Sequence, residues 1–454
     1  MNLTITPAKL RGAITPPPSK SQAHRLIICA ALAAGESVVE NIALSQDVEA
    51  TLRCMEGLGA RWTLDGSTLR IAGIGGSTPP CSGRGELPRF DCGESGSTLR
   101  FLIPIALAAV GGGVFTGQGR LMERPQQPYF DLFAEKAIFY EQRDGALTVR
   151  GTLKPGTYRL PGNVSSQFFT GLLLALPLLS GSSRIVSTTK LESVGYVNMT
   201  CRAMENFGVT TASKGRVGLR RTPHGAWEIP GGQAYQPRTV SVEADWSQAA
   251  FWYAAQALGC DVEATGMNVD SLQLDKRIVD YRDMIQGKPL TGGVTVPIWK
   301  VVEDEDPPPV QRQGPAGDTP HATGIDVSHC PDLVPPLAAM GACMNGTLYI
   351  NKAGRLRLKE SDRLAAVTAA LTAMGAKVIE EPDRLIIQGQ DSLRGGCTVD
   401  CCNDHRIAMM AAVAATRCRE PVTLLGAECV KKSYPNFWED YKRLGGIIHE
   451  HTGE

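Results

Sequence analysis

The chain has 454 residues, 43% of them hydrophobic and 20% charged, which bounds it as a globular protein of two or three domains with length enough for a sizeable core. Lysine plus arginine equals aspartate plus glutamate at 46 each, so no basic excess favours nucleic acid or an acidic membrane, and any positive site is made locally by folding. Thirteen cysteines without a framework spacing fit reduced thiols and a cytoplasmic setting.

The opening residues, MNLTITPAKLRG, lack the apolar core of a signal peptide and predict a strand over 3–6 and a turn. One unit is then written six times, with a period of about 70 to 85 residues. A polar cluster opens a helix-length run of small apolar residues. A strand follows, then an amphipathic helix ending near a glycine, then a closing strand. The clusters are Ser19-Lys20-Ser21, Glu94-Ser95-Gly96-Ser97, Ser165-Ser166-Gln167, Asp245-Trp246-Ser247-Gln248, Cys330-Pro331-Asp332 and Asn403-Asp404-His405-Arg406. Strands are predicted after the apolar runs at 36–41, 113–117, 183–187, 260–265, 347–351 and 421–425, and closing strands at LRIAG, LTVRG, VGLRR, VTVPI, LIIQG and GIIHE. Glycine turns end the amphipathic helices at MEGLGA, MENFGV, LTAMGA and YKRLGG, whereas the second copy, FAEKAIFY, has none and reads as shortened.

The apolar runs are hydrophobic nearly all round, which predicts fully buried helices. The longest, 168–179, is too short to span a bilayer and contains Pro177. The alternation predicts an α/β fold of βαβαβ-type subdomains, three in a domain at 19–235 and three in a discontinuous domain at 1–18 plus 240–454. Crossovers near 16–20 and 231–240 predict halves that close like a hinge. The proline-rich stretch 301–324 reads as a tolerated surface insertion.

A helix N-terminus presents unpaired N–H groups and a partial positive charge, so polar clusters placed there suit anions. Lys20 and Arg25 oppose the dipole of their own helix, a conflict that a bound anion resolves. Arg120 and Arg124, in GQGRLMERP, read by themselves as surface arginines, and Ser165 and Asp332 as helix caps. RLRLKESDRL crowds Arg357, Lys359, Glu360 and Arg363 ahead of an amphipathic helix, with a solvated charged face as the alternative. NDHR sets Asp404, His405 and Arg406 directly before an apolar helix, and Lys432 lies in KKSYP. Excess cations with Asp332 and Glu360 as the outstanding acids suit substrates bearing several phosphate or carboxylate groups, with acid/base groups for proton transfer. Cys401, Cys402 and His405 lack a zinc-site spacing, and no P-loop is present.

Ten motifs in order over residues 3–445 resemble the EPSP synthase family of enolpyruvyl transferases: PSKSQAHR, GESGSTLRF, GRLMERP, SSQF, ESVGYVNMT, EADWSQAAFW, CPDL, LKESDRL, NDHRIAM and KKSYPNF. The resemblance implies a two-domain inside-out α/β barrel of six βαβαββ units, three per domain. It implies transfer of the enolpyruvyl group of phosphoenolpyruvate to the 5-hydroxyl of shikimate 3-phosphate, releasing phosphate through a tetrahedral ketal, a step toward chorismate and the aromatic amino acids. By motif, Lys20, Ser21, Arg25, Ser165, Ser166, Gln167, Ser193, Tyr196, Asp332 and Lys359 are implied contacts of shikimate 3-phosphate. Lys20, Gly96, Arg124, Gln167, Glu360, Arg363, Arg406 and Lys432 are those of phosphoenolpyruvate. Asp332, Glu360 and Lys20 are the implied catalytic groups, with no cofactor, no metal and a monomeric state. The chain departs from common family residues at Glu94-Ser95 (often Asn-Ala), His24 (often Asn) and Arg355 (often Asn), and the last is left out of the site. The alternatives are the sister enzyme acting on UDP-N-acetylglucosamine, whose reactive loop cysteine has no counterpart between Cys92 and Cys201, and a non-catalytic anion-binding repeat protein.

Overall fold

In the structure, a computed structural model that describes residues 1–75, 86–211, 225–288 and 322–451, each apolar run becomes a buried helix and each amphipathic segment its partner. In chain order the pairs are α1 (Lys20–Leu32) with α2 (Gln46–Gly57), α3 (Gly96–Val110) with α4 (Gln127–Lys136), and α5 (Ser166–Ala175) with α6 (Val194–Asn206). They continue with α7 (Trp246–Ala257) and α8 (Ile278–Ile285), α9 (Val334–Ala342) and α10 (Arg363–Ala373), and α11 (His405–Ala415) and α12 (Phe437–Arg443). All nine residues of α9 and all eleven of α11 are buried, as all-round hydrophobicity requires.

The polar clusters stop the apolar helices at their N-termini by capping them. Ser19, Ser95, Ser165, Asp245 and Asp404 each accept from a backbone amide in the first turn, at 3.0 to 3.4 Å. Each such cap stabilises its helix by about 1 kcal/mol. The exception corrects an expectation: α9 starts through the 3-10 turn Pro331–Leu333 without a side-chain cap, so the Asp332 carboxylate serves elsewhere.

The strands after the apolar runs form at Glu36–Glu40, Gly112–Thr116, Ser183–Ser187, Asp261–Ala264, Thr347–Asn351 and Val422–Leu425. Closing strands form at Thr68–Ala72, Ala146–Arg150, Arg384–Gln388 and Ile447–His451, while VGLRR, VTVPI and residues 301–321 of the proline-rich stretch lie outside the described residues. Its last residues belong to a strand, Ala322–Asp326, rather than to an insertion. The sequence reading missed the hairpin partners Arg61–Asp65, Phe139–Arg143 and Lys377–Glu381, none of which has a fully buried residue; only Arg61–Asp65 alternates, with Trp62 and Leu64 half-buried.

Four sheets share one strand plan, in which a parallel pair is followed by two antiparallel neighbours. One runs Arg89–Asp91, Gly112–Thr116, Ala146–Arg150, Phe139–Arg143. The N-terminal strand Asn2–Thr6 fills the third place of the last sheet, antiparallel to both Val422–Leu425 and Ile447–His451 in the register Leu3 to Leu424. Thr239–Ser241 likewise completes the first sheet beside Glu36–Glu40.

The second copy keeps its turn. Ala137 follows α4 at φ 54°, the left-handed position that glycine holds at Gly59, Gly208, Gly375 and Gly445. A Cβ there costs roughly 1–2 kcal/mol, which is why the other copies use glycine.

The chain forms two compact units, Pro18–Glu243 and a second one made of Met1–Pro17 with the described residues from Ala244 onward. Each buries its apolar helices in its own core, with sheets turning one alternating face inward. No helix among the described residues is long and apolar enough to cross a membrane.

Candidate active site

In the unit Pro18–Glu243, most of the residues singled out from the first three copies lie at or against the N-terminal ends of α1, α3, α5 and α6. Lys20, at the first turn of α1, donates to Asp47 Oδ2 of α2 at 2.7 Å, and the two side chains are only 16% and 12% exposed. Arg25 is buried, and among the described residues no carboxylate accepts a hydrogen bond from it. It donates to Thr200 Oγ1 (2.8 Å), the Ser21 carbonyl (2.6 Å), the Tyr196 carbonyl (3.1 Å) and Thr170 Oγ1 (3.3 Å), and stacks on Phe101 and Tyr196. Burial pulls its pKa down to about 10. These are not solvated surface cations.

Arg124 also overturns its surface reading, for it is 8% exposed and packs on the first turn of α3. A Cβ built on Gly96 would stand 2.8 Å from Arg124 Cζ, so glycine is what allows the guanidinium to lie there. Arg124 Nε meets no acceptor among the described residues. Arg120, by contrast, stays exposed beside Glu123 at 3.7 Å. Gln167 is held from both ends, accepting from Arg100 Nη1 at 2.7 Å and donating to Ser97 Oγ at 2.9 Å. Ser165 caps α5, Ser166 begins it, and Ser193 precedes α6 at φ 55°.

In the other unit, the fifth and sixth copies meet on Arg363, which is 1% exposed. Its guanidinium donates to Asp332 Oδ1 at 2.9 Å, Glu360 Oε2 at 2.6 Å and Asp404 Oδ2 at 2.9 Å. Asp404 also takes Ser361 Oγ at 3.0 Å while capping α11. Asp332 draws two more cations, Arg406 at 3.2 Å and Lys359 at 3.6 Å. Burial alone would raise the Asp332 pKa, but Arg406, Lys359 and Arg363 outweigh it and hold the carboxyl well below the ordinary range. Burial lowers Lys359 to about 8 despite Asp332 beside it. Lys432, 4% exposed, donates to the Asn403 carbonyl at 2.6 Å. Arg357, from the same charged segment, is no part of this cluster and pairs with Glu380 and Asp362.

The sequence reading missed two carboxylates and left a third, Asp404, without a role. Asp47 is the partner of Lys20, Asp404 anchors Arg363, and Asp275 is buried with Ser247 donating to it. Burial, then Asp332, raises Asp275 to about 6. Asp404 stood inside NDHR and was open to reading as both cap and ion-pair partner; Asp47 and Asp275 carry no local signal. Among the described residues no cluster of three or more His, Cys, Asp or Glu side chains is arranged to hold a metal ion.

The model of the family described as EPSP synthase (3-phosphoshikimate 1-carboxyvinyltransferase) matches residues 5–441. Relatives named 3-phosphoshikimate 1-carboxyvinyltransferase from Clostridium beijerinckii and Clostridium kluyveri are each 43% identical to this chain, covering 99% of it and 98% of their own length. Among solved structures, an EPSP synthase from Acinetobacter baumannii superposes with a TM-score of 0.73 at 24% identity over 99% of this chain and 100% of that one. The enolpyruvyl transferase NikO from Streptomyces tendae gives a TM-score of 0.71 at 16% identity over 99% of this chain and 98% of its own. The fold is the two-domain enolpyruvyl transferase fold, and the chain belongs to the EPSP synthase family.

Proposed function

We propose that this chain transfers the carboxyvinyl group of phosphoenolpyruvate to the 5-hydroxyl of shikimate 3-phosphate, releasing phosphate. The observation that carries the reading is the Arg363 cluster, where Asp332 and Glu360 share one guanidinium and Arg406 and Lys359 crowd the same Asp332. Proton-transfer groups embedded in a cationic field are what an addition–elimination between two multiply charged anions requires.

Lys20, Ser21, Arg25, Ser165, Ser166, Gln167, Ser193, Tyr196, Asp332 and Lys359 are assigned to shikimate 3-phosphate. Lys20, Gly96, Arg124, Gln167, Glu360, Arg363, Arg406 and Lys432 are assigned to phosphoenolpyruvate. Asp332 takes the proton of the 5-hydroxyl as its oxygen bonds to C2 of phosphoenolpyruvate, and Glu360 delivers a proton to C3. The product is a tetrahedral ketal phosphate, whose charge is assigned to the Lys20 ammonium. Glu360 then removes a proton from C3, the double bond re-forms, and the C2–O bond breaks with its electrons on the departing phosphate.

With three cations upon it Asp332 is a weak base. Anionic groups that share Arg406 and Lys359 loosen that hold and raise its affinity for the hydroxyl proton. Positioned acid/base groups supply roughly a hundredfold to ten-thousandfold, so substrate alignment and the fixed cations provide most of the remaining acceleration.

We further infer a cytoplasmic monomer without nucleic-acid partners; the thirteen cysteines without a framework spacing support the first, and the equal numbers of acidic and basic residues the last. Purified protein given phosphoenolpyruvate and shikimate 3-phosphate together is expected to release phosphate, and with either alone none. Release with UDP-N-acetylglucosamine in place of shikimate 3-phosphate overturns the assignment.

A further inference from the structure

A buried chain of hydroxyls joins α1 to the N-terminus of α3. His24, one turn beyond Lys20 on α1, is 1% exposed, and its Nδ1 lies 2.7 Å from Thr51 Oγ1 of α2. Thr51 Oγ1 lies 2.7 Å from Thr98 Oγ1 of α3, and Thr98 Oγ1 donates to Ser95 Oγ at 2.7 Å. Ser95 also accepts the Thr98 amide at 3.2 Å as the cap of α3. All four side chains are buried, and none belongs to the substrate contacts assigned above.

Proton counting gives the chain a direction, because each hydroxyl has one proton to donate. With the Thr98 proton on Ser95, the Thr51 proton goes to Thr98 at 2.7 Å in preference to the Asp47 carbonyl at 3.4 Å, so the first contact takes its proton from His24 Nδ1. Nε2 then carries a bare lone pair, and it has no partner among the described residues. The opposite tautomer would bury an N–H without an acceptor, the rarer defect of the two. Burial, then Lys20 and Arg25 on the same helix, favour the neutral ring by pushing its pKa well below the usual value. Towards the ring α2 presents Thr51, and α3 presents Phe101, perpendicular to it at 6.4 Å.

We propose that His24 is a positioning residue, whose Nδ1–H starts a one-way chain through Thr51 and Thr98 to Ser95 that fixes the end of α3 where Gly96 underlies Arg124. The inference rests on the reading of Gly96 and Arg124 as phosphoenolpyruvate contacts. It has no bearing on which groups transfer protons.

Two measurements test it. In the full-length protein labelled with 15N-histidine, the His24 signals, assigned by their loss in His24→Asn, are expected to show a protonated Nδ1 and a bare Nε2 between about pH 6 and pH 8. A proton on Nε2 overturns the proposal. In kinetics, His24→Asn places an amide N–H where Nδ1 stood and is expected to keep the phosphoenolpyruvate KM within about twofold. His24→Leu is expected to raise that KM about tenfold while kcat and the shikimate 3-phosphate KM change less than about twofold. Equal losses in the two variants, or a fall in kcat alone, overturn it. Wild-type phosphate release is measured first in the same assay. Its absence counts against the functional reading, and the tautomer measurement then decides the chain.

Discussion

Gly96 lies directly beneath the Arg124 guanidinium, so close that a Cβ added to it would stand 2.8 Å from Cζ and 3.0 Å from Nη2. We propose that glycine at the first residue of α3 and the buried arginine over it act as one anion-binding element. Gly96→Ala is therefore expected to push the guanidinium aside and raise the phosphoenolpyruvate KM by about ten- to a hundredfold, the usual worth of a hydrogen bond to a charged group. The shikimate 3-phosphate KM should stay nearly constant. Steady-state kinetics with each substrate varied in turn checks this, and equal changes in both KM values would contradict it.

Arg363 touches three carboxylates at once. Arg363→Lys keeps a charge but supplies a point donor where a planar fork spans Asp332, Glu360 and Asp404. The expected result is a kcat loss of about a hundredfold or more with the fold retained by circular dichroism. Arg363→Ala leaves the fully buried Asp404 carboxylate without its cation and is expected to cost about 3–5 kcal/mol, read as a marked fall in the thermal unfolding temperature. A lysine variant with near-normal kcat would remove Arg363 from the proposed machinery.

The buried helices, their caps and most strands were legible because those signals are local: a run of apolar residues, a serine or aspartate before it, a glycine after it. What escaped was pairing at a distance. Asp47 lies 27 residues from Lys20 and Asp404 41 residues from Arg363, and neither separation leaves a periodic trace. Arg124 looked like a loop cation because its cover, α3, arrives from a different part of the chain. Ala137 hid a turn by taking the left-handed conformation without glycine. Asp332 was open to reading as a cap, and only the convergence of Arg363, Arg406 and Lys359 gives its carboxylate another purpose.

With Lys359 proposed as a contact of shikimate 3-phosphate, its titration is expected to set the alkaline limit of capture. Its folded pKa is lowered to about 8 by burial, so the free protein loses this charge as pH rises through that value, well before the unfolded chain does. The burial cost of the charge is present below about pH 8 and relieved above it, so stability rises slightly while binding weakens. The kcat/KM for shikimate 3-phosphate is expected to fall above an apparent pKa near 8, because that ratio reports the free protein. Lys359→Arg, which keeps its charge, should remove this limb. The same limb persisting in the arginine variant would assign it to another group.

Asp275 shows the opposite linkage. Its folded pKa is raised to about 6, first by burial and then by Asp332, while the Ser247 hydroxyl donates to Oδ2. Between about pH 4 and pH 6 the folded protein holds a proton that the unfolded chain has already released, so stability falls as pH rises through that window and stays lower above it. Asp275→Asn removes the buried charge and leaves an amide oxygen to accept from Ser247. The variant is expected to unfold a few degrees higher than the parent at pH 8 and no higher at pH 4.5. Its gain should carry a functional cost. Asp332 loses the neighbouring negative charge that favours its protonation, becomes a still weaker base, and kcat falls while the variant is more stable. Thermal unfolding at the two pH values and kcat at pH 8 give both readings, and a variant less stable than its parent at pH 8 would show that the Asp275 carboxylate is not held at a cost.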